Sequence, residues 1–468
     1  MHRVRSLAPV VVGLALATAG LFTLLQPTAG GHARGMPHWW KPPADVRAML
    51  ADVSATSLER YDRALVGFGT RHTLSSQDDP VRGIGAARDW IRDQFQQIAT
   101  TSGGRMSVEL QTFVQPVSPR VPVPTPITNV VATLRGTDPT ASDRVYVVSA
   151  HYDSRVTDVQ NFTSDAPGAN DDASGVSAVL ELARVLAPHP TEATIVFVAF
   201  AGEEQGLYGS NFFAQQAKAA GMNIQGNLNM DIIGSSLGGN GIRDPRTIRL
   251  FSEGVPTAET AAETARRQSI GGENDGVSRQ LARYVKETGE NGATDMRVKL
   301  VWRRDRFLRG GDQISFLQQG WPAVRFTEPN ENFDHQHQDV RVENGKQFGD
   351  LPEFVDFPYL ARVTRVVGSS LSALARAPRA PRNARIIAAA LSYDTELRWD
   401  ANPESDVVGY EVVWRDSTEP LWTHARRFGN VTTAVIENLN KDDNQVGVRA
   451  IDRDGNRSPV AYPIPASQ

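Results

Sequence analysis

The chain has 468 residues, and its formal net charge of −4 is the difference between 49 basic and 53 acidic residues. Such a balance gives no electrostatic attraction to nucleic acid or to an anionic membrane, so we expect neither as a partner on this ground. The length is enough for two or three domains, each with a hydrophobic core of its own. Because the sequence contains no cysteine, disulfides and an N-terminal lipoprotein anchor are excluded, and core burial must supply the stability.

The first residues resemble an export signal. A short basic start is followed by an apolar run over residues 7–25 and by small residues near Ala29 and Ala33, which are candidate cleavage points. We predict a signal peptide over 1–33 and a secreted or periplasmic protein. The apolar run is also just long enough for a membrane helix, so an uncleaved membrane anchor is the alternative.

Residues 40–375 are predicted to form an α/β domain with a mixed, largely parallel central sheet flanked by helices. Residues 144–150 and Thr194–Phe200 are unbroken apolar runs of strand length, which is typical of strands buried on both faces of such a sheet. Apolar residues recur at helical spacing over 86–98 and 176–186, and Pro188 ends the second of these segments. This pattern favours helices packed against the sheet.

Residue types that bind hard metal ions follow these strands. They are His151 and Asp153 in HYD, Asp171 in NDD, Glu203 and Glu204 in GEE, Asp231 in NMD and His337 in HQHQD. Zinc prefers imidazole nitrogen and carboxylate oxygen, and two zinc ions about 3.5–4 Å apart need one carboxylate to bridge them. Ligands of open α/β sheets bind beyond the carboxyl ends of the strands. The sequence therefore predicts a hydrolytic site with two zinc ions.

Each motif taken alone also has a simple structural interpretation. A His-x-Asp pair is commonly a surface feature, and a Glu-Glu pair is commonly a solvated face. Asn170 and Asp171 could cap the helix that follows, because their side chains accept hydrogen bonds from its first N–H groups. Asp231 could simply end a strand. All of them fall at predicted strand ends of one α/β pattern, and this joint placement favours the metal site.

In this order, the motifs resemble those of the secreted zinc aminopeptidases, a family of di-zinc exopeptidases related to glutamate carboxypeptidase and glutaminyl cyclase. The resemblance covers about residues 45–375. It implies a bridging carboxylate, two further ligands for each zinc, a general base and a carboxylate that orients a ligand histidine. Asp171 would be the bridge. One zinc would be held by His151 and Asp231, and the other by Glu204 and His337. Glu203 would be the general base, and Asp153 would orient His151.

The last ligand is a choice between two histidines. The family usually has Tyr-His followed by Thr-Pro and an acidic residue, whereas Phe333 stands in the corresponding stretch here. His335 keeps the four-residue offset to Asp339, and His337 fits a Gln-His-Gln-Asp variant. We predict His337 as the ligand and keep His335 as the alternative. With Phe333 in place of the tyrosine, oxyanion stabilisation must come from elsewhere.

The resemblance implies an exported aminopeptidase that acts on peptides. A carboxypeptidase or dipeptidase of the same superfamily is an alternative, since it would use the same metals and a basic residue to hold the substrate carboxylate. A glutaminyl cyclase would need only one zinc and departs from the NDD motif, which is intact at Asn170, Asp171 and Asp172. A binding protein derived from an inactive peptidase would be expected to have lost ligands or the base.

A second domain is predicted at the C-terminus. Residues 376–382 form a Pro- and Arg-punctuated linker, and residues 383–468 contain short alternating strands separated by turn signals, which is typical of an all-β sandwich. The placement of Trp399 and Tyr410 resembles fibronectin type III domains. Gln445 stands where that family usually has a corner tyrosine.

Overall fold

The structure is a computed structural model that describes residues 40–389 and 391–466. The signal peptide predicted over 1–33 lies outside the described residues. Among the residues that are described, none of the helices combines the length and the apolar character that a membrane span needs.

Eight strands form the central sheet. They are β1 Met106–Gln115, β2 Thr125–Leu134, β3 Arg144–His151, β4 Thr194–Phe200, β5 Asn223–Met230, β6 Thr247–Ser252, β7 Arg297–Val301 and β8 Ala323–Thr327. Their order across the sheet is β1-β2-β4-β3-β5-β8-β6-β7. The middle strands β4, β3, β5 and β8 are parallel, whereas β1 with β2, β2 with β4, and β6 with β8 pair antiparallel. The predicted mixed α/β sheet is confirmed.

Helices cover both faces of this sheet. They are α1 Ala44–Ala51, α2 Ala55–Gly67, α3 Ile84–Ala99, α4 Ser174–Leu186, α5 Glu203–Gly206, α6 Tyr208–Ala219, α7 Ala261–Ser269, α8 Val277–Gly289, α9 Gln313–Gln318 and α10 Phe357–Arg376. Because successive strand residues point to opposite faces, Phe197 of β4 lies in the larger apolar core and its neighbour Val196 in a second one. The larger core includes α2, α4 and α10, and the second is filled by Phe213 of α6 and Phe316 of α9.

The C-terminal region is built from strands alone. After the small hairpin of β9 Arg341–Glu343 and β10 Lys346–Phe348, these strands are β11 Arg385–Ile387, β12 Thr395–Arg398, β13 Val407–Asp416, β14 His424–Gly429, β15 Thr433–Ile436, β16 Asn444–Asp452 and β17 Ile464–Pro465. They form two sheets, β15-β12-β11-β17 and β14-β13-β16, around a core that includes Trp399 and Tyr410. An all-β C-terminal region is therefore confirmed, while its assignment to fibronectin type III and the 376–382 boundary stay predictions.

A buried ionic cluster joins the β-sandwich to the region around α8. Asp275, just before α8, accepts hydrogen bonds from Arg283 of α8 (Nη1 to Oδ1, 3.2 Å) and from Arg415 of β13 (Nη2 to Oδ1 and Oδ2, 2.8 and 2.7 Å). All three side chains are at most 2% exposed. We call these three residues the interface cluster. Trp422 adds a hydrogen bond from its indole N–H to Gln280 of α8, so the two regions are in direct polar contact.

Candidate metal centre

The predicted ligands meet at one edge of the central sheet. His151 is the last residue of β3, Asp231 follows β5 directly, and Glu203 and Glu204 begin α5 shortly after β4. These three strands are adjacent and parallel, so their carboxyl ends lie together. Asp171 comes from a short irregular turn, Ala169–Ala173, that precedes α4; the backbone of Asp171 is not helical, and its peptide bond to Asp172 is cis.

The side chains form two donor sets that share Asp171. In the first set, His151 Nε2 lies 3.2 Å from Asp171 Oδ1 and 3.8 Å from Asp231 Oδ2. In the second set, His337 Nε2 lies 2.9 Å from Asp171 Oδ2 and 2.9 Å from Glu204 Oε1. Each oxygen of the Asp171 carboxylate thus faces a different histidine. This is the placement that a carboxylate bridging two metal ions requires.

The residues present fit a pair of zinc ions. The donors are imidazole nitrogens and carboxylate oxygens, which zinc prefers. His151 Nε2 is buried and makes no hydrogen bond of ordinary geometry, although Asp171 Oδ1 lies 3.2 Å away and buried polar atoms are nearly always paired. Asp171, Glu204 and Asp231 are also buried close together. A cation between them would offset the repulsion among these carboxylates and satisfy the unpaired nitrogen.

Asp153 contacts both the backbone of the turn that carries Glu203 and Glu204 and the ring of His151. Its carboxylate oxygens accept the backbone N–H groups of Glu203 (3.3 Å) and Glu204 (3.1 Å), and also the Thr73 hydroxyl (3.1 Å). Nδ1 of His151 lies 3.1 Å from the Asp153 carbonyl oxygen and 3.6 Å from its carboxylate. The residue predicted to orient His151 therefore also fixes the turn that carries the predicted base.

Asp171 is positioned through its own backbone. Its N–H donates to Asp350 Oδ2 (2.7 Å), and the neighbouring N–H of Asn170 donates to both Asp350 oxygens (2.9 and 3.0 Å). Burial raises the pKa of Asp350 to about 7. The Asn170 side chain donates to Glu328 Oε2 (2.9 Å). Hydrogen bonds to two buried acidic residues, Asp350 and Glu328, thus hold the NDD turn in place.

Glu203 lies beside the first donor set. One of its carboxylate oxygens lies within 4.8 Å of ligand atoms of His151 and Asp231. Burial raises the pKa of Glu203 well above its usual range, and Asp231 and Glu204 add to this effect while His151 opposes it. A carboxylate with a raised pKa is a better proton acceptor at neutral pH. This environment suits the predicted general base.

The two candidate histidines have different surroundings. His337 reaches Asp171 and Glu204, and these carboxylates raise its pKa to about 10 although burial alone would lower it. His335 instead stacks on Phe354, with ring centroids 3.6 Å apart. Phe333, at the position where the tyrosine was expected, is 66% exposed. The structure therefore brings His337, and not His335, into the second donor set.

Comparisons with known proteins place these features in a family. The model of peptidase family M28 matches residues 129–343, a range that includes both donor sets. A probable zinc metalloprotease of Leptosphaeria maculans is 51% identical over 424 residues, which is 91% of this chain and 98% of that protein. A second one, from Pyrenophora teres, is 52% identical over 430 residues, which is 91% of this chain and 88% of the relative. The chain belongs to peptidase family M28.

The fold of this M28 chain is also similar to that of a solved structure. The crystal structure of LapA of Legionella pneumophila aligns with a TM-score of 0.50 and 18% identity, over 72% of this chain and 78% of LapA. At this identity the likeness concerns the fold alone.

Two arginines that contact the predicted ligands, Arg155 and Arg325, do not belong to the motifs from which the centre was predicted. Arg155 donates from Nε to Glu204 Oε2 (3.0 Å), and its Nη2 lies 2.6 Å from His337 Nδ1. Arg325 of β8 lies 2.8 Å from Asp231 Oδ1 and is 1% exposed. A charged residue inside the mostly apolar AVRFT strand was a signal that could have identified Arg325. Arg155 carries no comparable signal.

Proposed function

We propose that this protein is an exported aminopeptidase that binds two zinc ions and removes residues from the N-termini of peptides. The observation that carries the proposal is the orientation of Asp171, whose two oxygens face two complete donor sets. The M28 membership and the names of the zinc metalloprotease relatives support both zinc and peptide hydrolysis. The predicted signal peptide over 1–33 supports export.

The residues at the centre can carry out peptide hydrolysis in a short series of steps. Zinc, when bound, would lower the pKa of a water molecule and polarise the scissile carbonyl. His151 and Asp231 would hold one ion, His337 and Glu204 the other, and Asp171 both. Glu203 accepts a proton from the attacking water and then donates it to the leaving amine. Asp153 keeps the Glu203 turn at a fixed distance from His151.

The aminopeptidase specificity is supported by the order of the motifs, which resembles that of the secreted zinc aminopeptidases. An aminopeptidase acts on a free α-amino group, so an N-acetylated peptide would bind and react poorly.

A carboxypeptidase or dipeptidase is the second candidate, because five arginines line the cleft at the metal centre. A guanidinium can bind a terminal carboxylate through two parallel hydrogen bonds. A glutaminyl cyclase is less well supported, because both donor sets are complete and the cyclases need only one zinc. A non-catalytic binding protein is disfavoured by the presence of every predicted ligand and of the base.

The decisive experiment combines metal analysis with peptides blocked at either end. We expect about two zinc ions per chain, cleavage of free-amine peptides and of amino-acid p-nitroanilides, and no cleavage after N-acetylation. If acetylated peptides were cleaved and C-terminally amidated peptides were resistant, the protein would be assigned as a carboxypeptidase and not as an aminopeptidase. Cyclisation of an N-terminal glutamine with release of ammonia would indicate a cyclase. The Glu203→Gln protein, purified identically, measures any contaminating peptidase.

A further inference from the structure

The cleft above the metal centre has an unusual charge distribution. It has a volume of about 320 Å³ and is lined by five arginines. They are Arg120, Arg155, Arg306, Arg309 and Arg325, and we call them the arginine wall. The carboxylates in the same lining all belong to the predicted ligands and base. The ligand carboxylates are committed to the zinc ions when these are bound.

One buried carboxylate organises part of the wall. Glu331 accepts hydrogen bonds from Arg306 Nη1 (2.8 Å) and Arg309 Nη1 (2.6 Å) on Oε2, and from Arg249 Nη2 (2.7 Å) on Oε1. Burial alone would raise the pKa of Glu331, but these arginines lower it to about 2, so the residue is ionised at neutral pH. Asp305 also pairs with Arg306, so two negative charges face Arg249, Arg306 and Arg309, and positive charge remains on this side of the cleft.

The wall is connected to the metal centre through Arg325. Its guanidinium contacts the predicted ligand Asp231, the carboxylate of Asp305 (3.2 Å) and the carbonyl oxygen of Gly310. Gly310 directly follows Arg309. The loop that carries Arg306 and Arg309 is therefore fixed next to the predicted zinc ligands, within reach of a peptide bound there.

The wall is only partly neutralised. Apart from the predicted ligands, the carboxylates that pair with it among the described residues are Asp305 and Glu331. Arg120 donates only to a backbone oxygen, that of Glu204. Arg309 and Arg155 keep side-chain exposures of 29% and 17%. Guanidinium N–H groups at the cleft surface are thus available to a ligand.

We infer that the arginine wall binds a carboxylate group of the peptide, so that the enzyme prefers substrates with an anionic group close to the scissile bond. The inference rests on the proposed peptidase function and specifies its substrate class. The carboxylate has two sources in a short peptide, an acidic side chain or the free C-terminus. Paired hydrogen bonds from guanidinium to carboxylate, in a cleft partly shielded from water, provide the recognition.

Matched peptides separate the two sources. The side-chain arm compares kcat/KM for Glu-Ala-amide with Gln-Ala-amide, and for Ala-Glu-amide with Ala-Gln-amide. The terminal arm compares Ala-Ala with Ala-Ala-amide. We expect the anionic member of at least one pair to be preferred about tenfold, because a hydrogen bond between charged groups is stronger than a neutral one. The preference should decrease as ionic strength rises.

Variants of a single loop test whether the wall is responsible. Arg309→Gln should reduce the anionic-to-neutral ratio about tenfold, and Arg309→Lys should retain part of the ratio because it keeps the charge but loses the planar donor pair. Arg304→Gln is the matched control, since it makes the same charge change in the same loop outside the cleft lining. Its ratio should equal that of the wild-type protein.

The failure of this inference is distinguishable from the failure of the proposed function. If peptides are cleaved but the carboxylate and amide members of every pair react equally, the inference is wrong and the peptidase assignment stands. If no peptide is cleaved, calorimetry on zinc-loaded Glu203→Gln protein decides. Two pairs are compared, N-acetyl-Glu-amide with N-acetyl-Gln-amide and N-acetyl-Ala with N-acetyl-Ala-amide. Tighter binding of the anionic member of at least one pair, lost in the added Arg309→Gln variant, supports the wall, and equal binding in both pairs rejects it.

Discussion

Two of the buried charged clusters in this protein, the interface cluster and the metal centre, differ in one respect. In the interface cluster, Asp275 accepts hydrogen bonds from two guanidiniums, so its negative charge is compensated within the protein. In the metal centre, several carboxylates lie side by side, and His151 Nε2 makes no hydrogen bond of ordinary geometry. Compensation within the protein is typical of a structural element. A local excess of carboxylates with an unpaired nitrogen indicates a site that requires a bound cation.

The largest expected effect is the loss of the bridging carboxylate. Asp171→Asn should reduce kcat/KM at least about 10³-fold, because zinc contributes several kcal/mol to the transition state. Zinc content should fall as well. Kinetics and metal analysis measure the two quantities. Full zinc occupancy in Asp171→Asn would contradict the bridging role.

An Asp-to-Asn substitution in the interface cluster should lower the stability of the protein and leave its zinc content unchanged. Asp275→Asn leaves Arg283 and Arg415 buried without their shared counter-charge, and we expect the free energy of unfolding to fall by about 3 kcal/mol. Zinc content at a temperature where the variant is folded should equal that of the wild-type protein. A loss of zinc without a loss of stability would show that the two clusters are not separate in function.

A smaller contrast lies within the loop 332–339. His337→Ala should bind one zinc ion fewer and lose about 10²-fold in kcat/KM, because one donor set loses its imidazole. His335→Ala removes only the ring stacked on Phe354 and should keep both ions. The opposite result would assign the ligand to His335. Zinc analysis of the two purified variants is the deciding measurement.

The smallest expected effect concerns pH and a different contact between the two regions. Burial raises the pKa of Glu192 to about 8 from its ordinary 4.5, and Asp406 adds to the shift. Between these values the folded protein binds more protons than the unfolded chain, so this group's contribution to stability is lost as pH rises. As pH rises from 4.5 to about 8, the Tm of the Glu192→Gln variant should therefore decrease less than the Tm of the wild-type protein. An unchanged pH dependence would exclude Glu192 as the titrating group.

The sequence was informative where local patterns determine structure. The apolar run Thr194–Phe200 predicted a strand buried on both faces, and the motifs after the strands predicted which side chains meet. The arginine wall was not predictable, because Arg306 and Arg309 owe their position to Glu331, more than 20 residues further along the chain. The interface cluster joins residues 140 positions apart. Such contacts depend on the complete fold, and no local pattern specifies them.

The hydrogen bonds of Asp153 constrain how this enzyme can change. The Asp153 carboxylate sets the position of the predicted base through the backbone of its turn, and the same residue contacts the predicted ligand His151. Metal affinity and proton transfer therefore both depend on the position of Asp153. A change in the turn between β4 and α6 would therefore alter the positions of both the predicted base and a predicted zinc ligand, whereas Arg306 and Arg309 lie on a separate loop and can vary independently of this turn.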